Sequence, residues 1–385
     1  MNKLRIEYEE MFAHNVTAIG ARAFTRGRQA LVILLKALGV SNNDNVGICG
    51  YTCLSVPEAV IRCGARCVFL DIDKFLTIDP NNILNSANKN LKVVIVQHTF
   101  GNPGNLKEIL EACRKIGAFI IEDCSQAFGG EWEGKPLGSF GDGAIYSFQW
   151  GKPYTTGQGG MLTVNSLSLL ERVDKVITEI AKEDSIASDI GLAIQRFIYK
   201  SLFNTSLFRF AKRGYFLLQK MRLIKGSFDL KLEYSLYPGY VRKAGPLMSY
   251  AGIQQLKKWK INRSKKMLEF CKIVDQSSGY MKPWPIPEKA KPVLLRYPFF
   301  VKDKERILYA ARKKGLDIAC WFETPVHPLS GDDLEKVGYH QGTCPYSEYV
   351  ASTIIQIPIN AKGDESALKF LLSYANKKVF LSKII

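Results

Sequence analysis

The chain has 385 residues, 46% of them hydrophobic and 23% charged. That length and composition suffice for a large core divided between two lobes, and they exclude global disorder. The formal charge of +17 suits nucleic acid, an anionic membrane surface or phosphate-bearing small molecules, and by itself does not choose among them.

The N-terminal text, MNKLRIEYEEMFAHN, is polar and acidic without an apolar centre, so no signal peptide is expected. No uninterrupted apolar run approaches the length of a membrane span. From about residue 27 to 165 helix-like and strand-like segments alternate. RQALVILLKALGV reads as a helix ended by Gly39, and NVGICG as a short strand. SVPEAVIRCG reads as a helix with Pro57 in its first turn and Gly64 at its end. ARCVFLDID, LKVVIVQHTFG and AFIIEDCSQAFG each read as a buried strand running into a polar loop, with LKEILEACRKIG as an amphipathic helix between the last two. Strand, helix, strand with short connections implies parallel pairing and right-handed crossovers, hence an α/β layered domain. Asp71, Asp73, His98, Glu122, Asp123 and Gln126 fall just past the strands' C-terminal ends, the edge where open α/β sheets bind ligands.

From about 186 to 240 the text turns apolar, aromatic and basic. Residues 192–231 hold Arg196, Lys200, Arg209, Lys212, Arg213, Lys220, Arg222, Lys225 and Lys231 against Asp229 alone. This insert reads as a helical hairpin or dimer arm with solvated charges, or as an interfacial helix pair on anionic lipid. No nucleic-acid-binding motif accompanies it. A helix resumes at MSYAGIQQL. A smaller α/β part then follows: VLLRYPFFV and DIACWF as strands, KERILYAARKKG and DESALKFLLSYANKK as helices. The boundary between lobes is placed near residue 265.

The nine cysteines are odd in number and scattered. Cys49/Cys53 and Cys63/Cys67 have spacings that metal sites use, but no His lies near them and their context is apolar. They read as buried thiols in a reducing compartment, with no metal. Lys152 lies in YSFQWGKPYTTGQGGMLTV, between an aromatic segment and a Thr/Gly run. It reads either as a solvated turn lysine or as an amine whose pKa apolar surroundings depress until it attacks carbonyls. Asp123 reads as a turn residue or as the carboxylate partner of a pyridinium nitrogen. Ser147 reads as a plain strand hydroxyl or a phosphate ligand. TRGRQAL opens a helix whose first amides suit phosphate, with Gly27 permitting close approach.

The stretch IEDCSQAFGGEWEGKPLGSFGDGAIYSFQWGKPYTTGQGGMLTVN resembles the signature of the DegT/StrS-type sugar aminotransferases. GYTCLSVPEAVIRCGARCVFLDID, VIVQHTFGNPGNLKEI, PVHPL and CPYSEYVASTIIQIPI resemble further blocks of that family in the same order. The resemblance implies a pyridoxal 5′-phosphate enzyme of the fold-type-I, aspartate-aminotransferase architecture. Its large cofactor-binding domain would span 1–265, with the insert at about 186–240, and a small C-terminal domain 266–385. It implies that Lys152 carries the cofactor as a Schiff base and that Asp123 pairs with the pyridine nitrogen. Gln126 would lie near the ring and its O3′, Ser147, Gly27 and Arg28 at the phosphate, and Thr52 and Cys53 against the ring. His98 and His327 are candidates for facing the substrate. Where the family commonly has Gly-x-Asn-x-Arg-Met, this chain has GYVRKA, with Val241 at the Asn position. The implied activity transfers an amino group, with glutamate the expected donor, to a keto sugar carried on a nucleotide, in a cytoplasmic homodimer. Two other readings remain: a cyclitol or aminobenzoate-type ketone as acceptor, or a non-catalytic scaffold on the same fold. Peripheral contact with the inner membrane face through the insert is a further expectation; nucleic acid is not expected as a partner.

Overall fold

The computed structural model describes residues 3–152, 154–202, 235–259, 270–274, 283–359 and 364–375. The first half of the chain runs α1 (Lys3–Asn15), β1 (Gly20–Phe24), α2 (Gly27–Ala37), β2 (Asn45–Cys49), β3 (Thr52–Cys53), α3 (Ser55–Arg62), β4 (Arg66–Leu70), α4 (Pro80–Asn85), β5 (Leu91–Gln97), α5 (Leu106–Lys115) and β6 (Phe119–Asp123). Two short strands, β7 (Glu131–Trp132) and β8 (Lys135–Pro136), precede β9 (Gly143–Ser147), β10 (Gly160–Val164), α6 (Leu167–Ile180) and α7 (Ile186–Leu202). After α8 (Pro246–Lys258) come β11 (Ala290–Lys291), β12 (Arg296–Phe300), α9 (Lys304–Lys313), β13 (Val326–His327), α10 (Pro345–Thr353), β14 (Ile354–Pro358) and α11 (Asp364–Ala375).

The main sheet has the order β1-β10-β9-β6-β5-β2-β4. Its strands are parallel from β4 through β2, β5 and β6 to β9. At the other end β10 runs antiparallel to both β9 and β1. Each parallel strand alternates its side chains between two apolar layers, as the period of two in a strand requires. On β5, Val93 and Ile95 enter the layer built with α2, α3 and α6, whereas Val94 and Val96 enter the layer built with α1, α5 and α8. The α5 helix follows the spacing of its sequence: Leu106, Ile109, Leu110 and Cys113 are buried, at i, i+3, i+4 and i+7. In contrast, α2 is buried on nearly every side, from Gln29 to Leu35, because it lies between the sheet and its neighbours α3 and α6.

The smaller part has a two-stranded antiparallel sheet, β12–β14, with α9 and α11 packed against it. The segment DIACWF is not a strand: it contributes one isolated bridge, Ala319 to Gln356, and then turns toward Tyr51 and β3. There Tyr51 donates its hydroxyl to the Phe322 carbonyl at 3.1 Å, and β13 pairs in parallel with β3. The expected domain boundary near 265 lies outside the described residues, as do 203–234 of the insert. Of the insert, α7 is described. Its Asp189 is buried and accepts from the Leu247 and Met248 amides at 2.7 and 3.0 Å, tying α7 to the start of α8. Ile186, Ile190, Ile194, Phe197 and Ile198 form an exposed apolar row along it. No described helix is long and apolar enough to cross a membrane.

Candidate active site

One cleft collects the C-terminal ends of the parallel strands. It is lined by Arg26, Gly27 and Arg28 at the start of α2, Cys53 and Ser55 after β2, Gln97 ending β5, Asp123 and Gln126 after β6, and Ser147 ending β9. Lys152, Gln149, Gln158 and Gly159 come from the loop between β9 and β10, and Trp321 and Phe322 from the smaller part. The position expected from topology is therefore the one observed.

The Lys152 loop is held as an extension of the β9–β10 pair. The Phe148 amide donates to the Gly159 carbonyl at 3.0 Å, and the Trp150 amide to the Gly157 carbonyl at 3.2 Å. Gly151 and Gly157, at φ +83° and +88°, let the chain reverse where a side chain would be strained. Behind the loop, Tyr154 is fully buried and donates its hydroxyl to the Gly252 carbonyl at 2.8 Å. It packs on Phe128 and Phe148, ring centroids 4.9 and 4.8 Å away. The lysine thus rides on a rigid aromatic base. Its amine lies 5.0 Å from the Trp321 ring centroid. Burial pushes its pKa down to about 8, and Asp123 and Cys53 oppose that shift while Arg296 adds to it.

Asp123 ends β6 and is buried; its Oδ1 accepts from the Ser125 amide at 2.9 Å. At the other end of the cleft, α2 opens without a side-chain cap at Arg26, so the helix terminus itself presents positive potential there. Gly27 and Gly160 touch backbone to backbone. A Cβ on Gly160 would meet Gly27 Cα and N at 2.4 Å, and one on Gly27 would meet Ser147 Cβ at 3.1 Å. The absence of side chains brings the helix terminus against Ser147. Arg26 is half-buried beside this cradle, its pKa lowered by burial and by neighbouring Arg28.

These residues fit pyridoxal phosphate. A carboxylate sits at one end for a protonated ring nitrogen, and a helix terminus, a hydroxyl and a guanidinium sit at the other for a phosphate. A lysine of lowered pKa stands in the same cleft for the aldehyde.

Of the residues expected from sequence, Lys152, Asp123, Gln126, Ser147, Gly27, Arg28 and Cys53 meet in this cleft. Gln126 also fixes the backbone, its Oε1 accepting from the Phe100 amide at 3.0 Å. Arg28 directs its guanidinium to Glu58, which also pairs with Arg62. Three of the expected residues lie outside this lining. Thr52 is fully buried with its hydroxyl donated to Gln97 Oε1 at 2.7 Å, so Cys53 and not Thr52 borders the cleft. His98 is fully buried against Glu122, 3.0 Å away, and that carboxylate also accepts from the amides of Gly138, Phe140 and Gly141. It braces the loop after β6 and does not line the cleft. His327 pairs with Cys53 across β13 and β3 and is not among the residues that line the cleft; burial lowers its pKa. Val241, at the expected Asn position, is buried core, and its neighbours Arg242 and Lys243 pair with Asp184 and Glu183 of the same chain. Sequence reasoning missed Arg26, Gln97, Trp321 and Phe322. Arg26 was visible as the N-cap of α2; Trp321 and Phe322 carried no local signal.

Residues 3–187 match the profile of the DegT/DnrJ/EryC1/StrS aminotransferase family. An uncharacterised protein of Methanocaldococcus jannaschii is 25% identical over 94% of this chain and 86% of its own length. GDP-perosamine synthase of Escherichia coli O157:H7 is 32% identical over 43% of this chain and 46% of its own, so the alignment spans under half of that relative. Among solved structures, DesV of S. venezuelae superposes with a TM-score of 0.73 at 17% identity, covering 97% of this chain and 90% of its own. A Streptococcus pneumoniae protein in its PLP form gives 0.74 at 16%, covering 98% and 93%. At that identity the likeness establishes the fold, that of the pyridoxal-phosphate-dependent aminotransferases.

Proposed function

We propose that this chain, whose residues 3–187 match the DegT/DnrJ/EryC1/StrS aminotransferase family, is a pyridoxal-phosphate-dependent aminotransferase that moves an amino group from an amino acid onto a keto sugar. The expected donor is glutamate and the expected acceptor is carried on a nucleoside diphosphate. The observation that carries this reading is the meeting of Lys152, Asp123 and Ser147 in one cleft, with the lysine amine lowered to about 8. The names of the relatives support the sugar: GDP-perosamine synthase, and the spore coat polysaccharide biosynthesis protein SpsC of Bacillus subtilis, 33% identical over 168 residues. The positive charge of the chain suits a diphosphate.

When bound, the cofactor supplies an electron sink for the donor's α-carbon. The chain does the rest. Asp123 would hold a proton on the cofactor's ring nitrogen, and Ser147, Gly27 and Arg26 would hold its phosphate. Lys152, uncharged in an appreciable fraction near neutrality, would serve as the base toward the proton on the donor's α-carbon. Trp321 and Phe322 narrow the smaller part's side of the cleft and limit water. The reading includes a homodimer in the cytoplasm. It also includes peripheral contact with an anionic membrane face, supported by the apolar row on α7 and the basic text after it. Sedimentation, and flotation with anionic against neutral liposomes, measure these two.

The test of the activity is to incubate the protein with glutamate and a panel of nucleotide-linked keto sugars, and to reduce it with borohydride before peptide mapping. The expected result is amination of one sugar and a reduced label on Lys152. A reducible adduct of equal yield in Lys152→Ala would refute the assignment.

A further inference from the structure

The α7 helix is used on two opposite faces. Asp189, Leu192, Arg196 and Tyr199, at i, i+3, i+7 and i+10, turn toward the protein. Tyr199 stacks on Trp150 with ring centroids 4.4 Å apart. Arg196 donates from Nη1 to the Leu247 carbonyl at 3.3 Å, and its stem passes over Gly157. A Cβ on Gly157 would meet the Trp150 ring at 2.7 Å and Arg196 Cγ at 2.9 Å, so glycine is what lets helix and indole close there. Trp150 and Gly157 are the two arms of the Lys152 loop, and the Lys152 amide donates to the Gln149 carbonyl between them at 3.1 Å. The helix therefore presses on both arms of the loop that carries the lysine. On the other face, Ile186, Ile190, Ile194, Phe197 and Ile198 are 46–79% exposed. They form one stripe about 18 Å long, too continuous to be scattered surface residues.

We infer that α7 docks on an anionic lipid surface through its outer row and, through Tyr199 and Arg196 on its inner face, transmits that docking to the Lys152 loop. This rests on the reading proposed above and turns its membrane contact into control of the site. Charge selects the occupant. The one acid of α7, Asp189, is buried under the Leu247 and Met248 amides, so the helix shows no negative charge outward. Residues 192–231 hold nine basic residues against Asp229 alone. An apolar row beside basic text complements an anionic bilayer, whereas a second copy would bring like charge to like. The stripe is shorter than a bilayer is thick, so it lies in the surface and does not cross. The coupling has a physical source. Lipid on the outer row and the Trp150 ring on the inner face both need the same formed helix, so each favours the state the other binds.

The test uses the holoenzyme, a double variant Ile194→Ser/Phe197→Ser on the outer row, and Tyr199→Ala and Tyr199→Phe on the inner face. Vesicles of equal phosphatidylglycerol and phosphatidylcholine are set beside vesicles of phosphatidylcholine alone. Three quantities are read: partitioning by flotation, cofactor release by absorbance, and hydrogen exchange of the Phe148, Trp150 and Thr156 amides. The wild type is expected to partition onto the anionic vesicles and the double variant to lose about 100-fold. Tyr199→Ala should partition as the wild type does. Anionic vesicles should slow cofactor release about fivefold and protect the loop amides in the wild type and Tyr199→Phe, and do neither in Tyr199→Ala. Thermal midpoints without vesicles check that each variant is folded. Partitioning that is absent, or equal on the two vesicles, overturns the inference and the membrane contact, and leaves amine transfer standing. Anionic partitioning with unchanged release and exchange overturns the coupling alone. A double variant that sediments as a smaller species shows the row to be the seat of a second copy, and also overturns it. Loop amides protected by vesicles in a protein that holds no pyridoxal phosphate would refute the aminotransferase reading and uphold the coupling.

Discussion

Replacing Gly160 by alanine isolates the contact that builds the phosphate end of the cleft. The added Cβ would lie 2.4 Å from Gly27 Cα and N and 2.6 Å from the Arg26 carbonyl carbon. Ordinary carbon contacts are about 3.5 Å, so the start of α2 must retreat from β10 by about 1 Å. Every atom met is backbone, so no side chain can rotate away. Overpacking of this kind costs about 1–3 kcal/mol. At roughly 2–4 °C per kcal/mol for a large domain, the thermal midpoint should fall by several degrees. The same retreat separates Gly27 from Ser147, and a misplacement of about 1 Å in a binding constellation can cost up to about 100-fold. Cofactor affinity should therefore drop between about 10- and 100-fold, read by absorbance titration of the apoprotein. Gly191 is the control: it lies in α7 with nothing near its Cβ direction, so alanine there should stabilise by about 0.5–1 kcal/mol. A Gly160→Ala protein with wild-type midpoint and wild-type cofactor affinity would refute the reasoning.

The Lys152 amine, lowered to about 8, should make loading of the apoprotein with pyridoxal phosphate rise with pH through a midpoint near 8 and then level off; a rate still climbing at pH 10 would mean an unshifted lysine. The same group binds its proton less tightly folded than unfolded. Its contribution to stability therefore rises with pH between about 8 and the ordinary lysine value, and a denaturant series across that window shows whether Lys152→Met removes the slope. Asp189→Ala should cost about 1–2 kcal/mol by uncapping α8, whose Leu247 and Met248 amides it accepts; Asp189→Asn should recover part, and equal midpoints for all three proteins would show the cap to be idle.

The sequence by itself determined the α/β layering. Strand runs such as Leu91–Gln97 and helix spacings such as that of α5 are local patterns, and each appears in the structure where its periodicity placed it. It also carried Lys152, Asp123, Gln126 and Ser147, because strand ends and the ordered blocks around them are written continuously in the chain. Side-chain direction was not written there. Thr52 and His98 stand at strand ends as expected, yet their partners, Gln97 and Glu122, come from neighbouring strands and turn them into the interior. The segment DIACWF has the composition of a strand, but Tyr51 and Gln356 hold it as a loop that delivers Trp321 and Phe322 to the cleft. Nor could any pattern set Arg296 and Lys152, 144 positions apart in the chain, against one indole ring. A local pattern fixes which face of an element is apolar; which charge stands beside which amine depends on contacts between distant segments, and only the tertiary structure decides those.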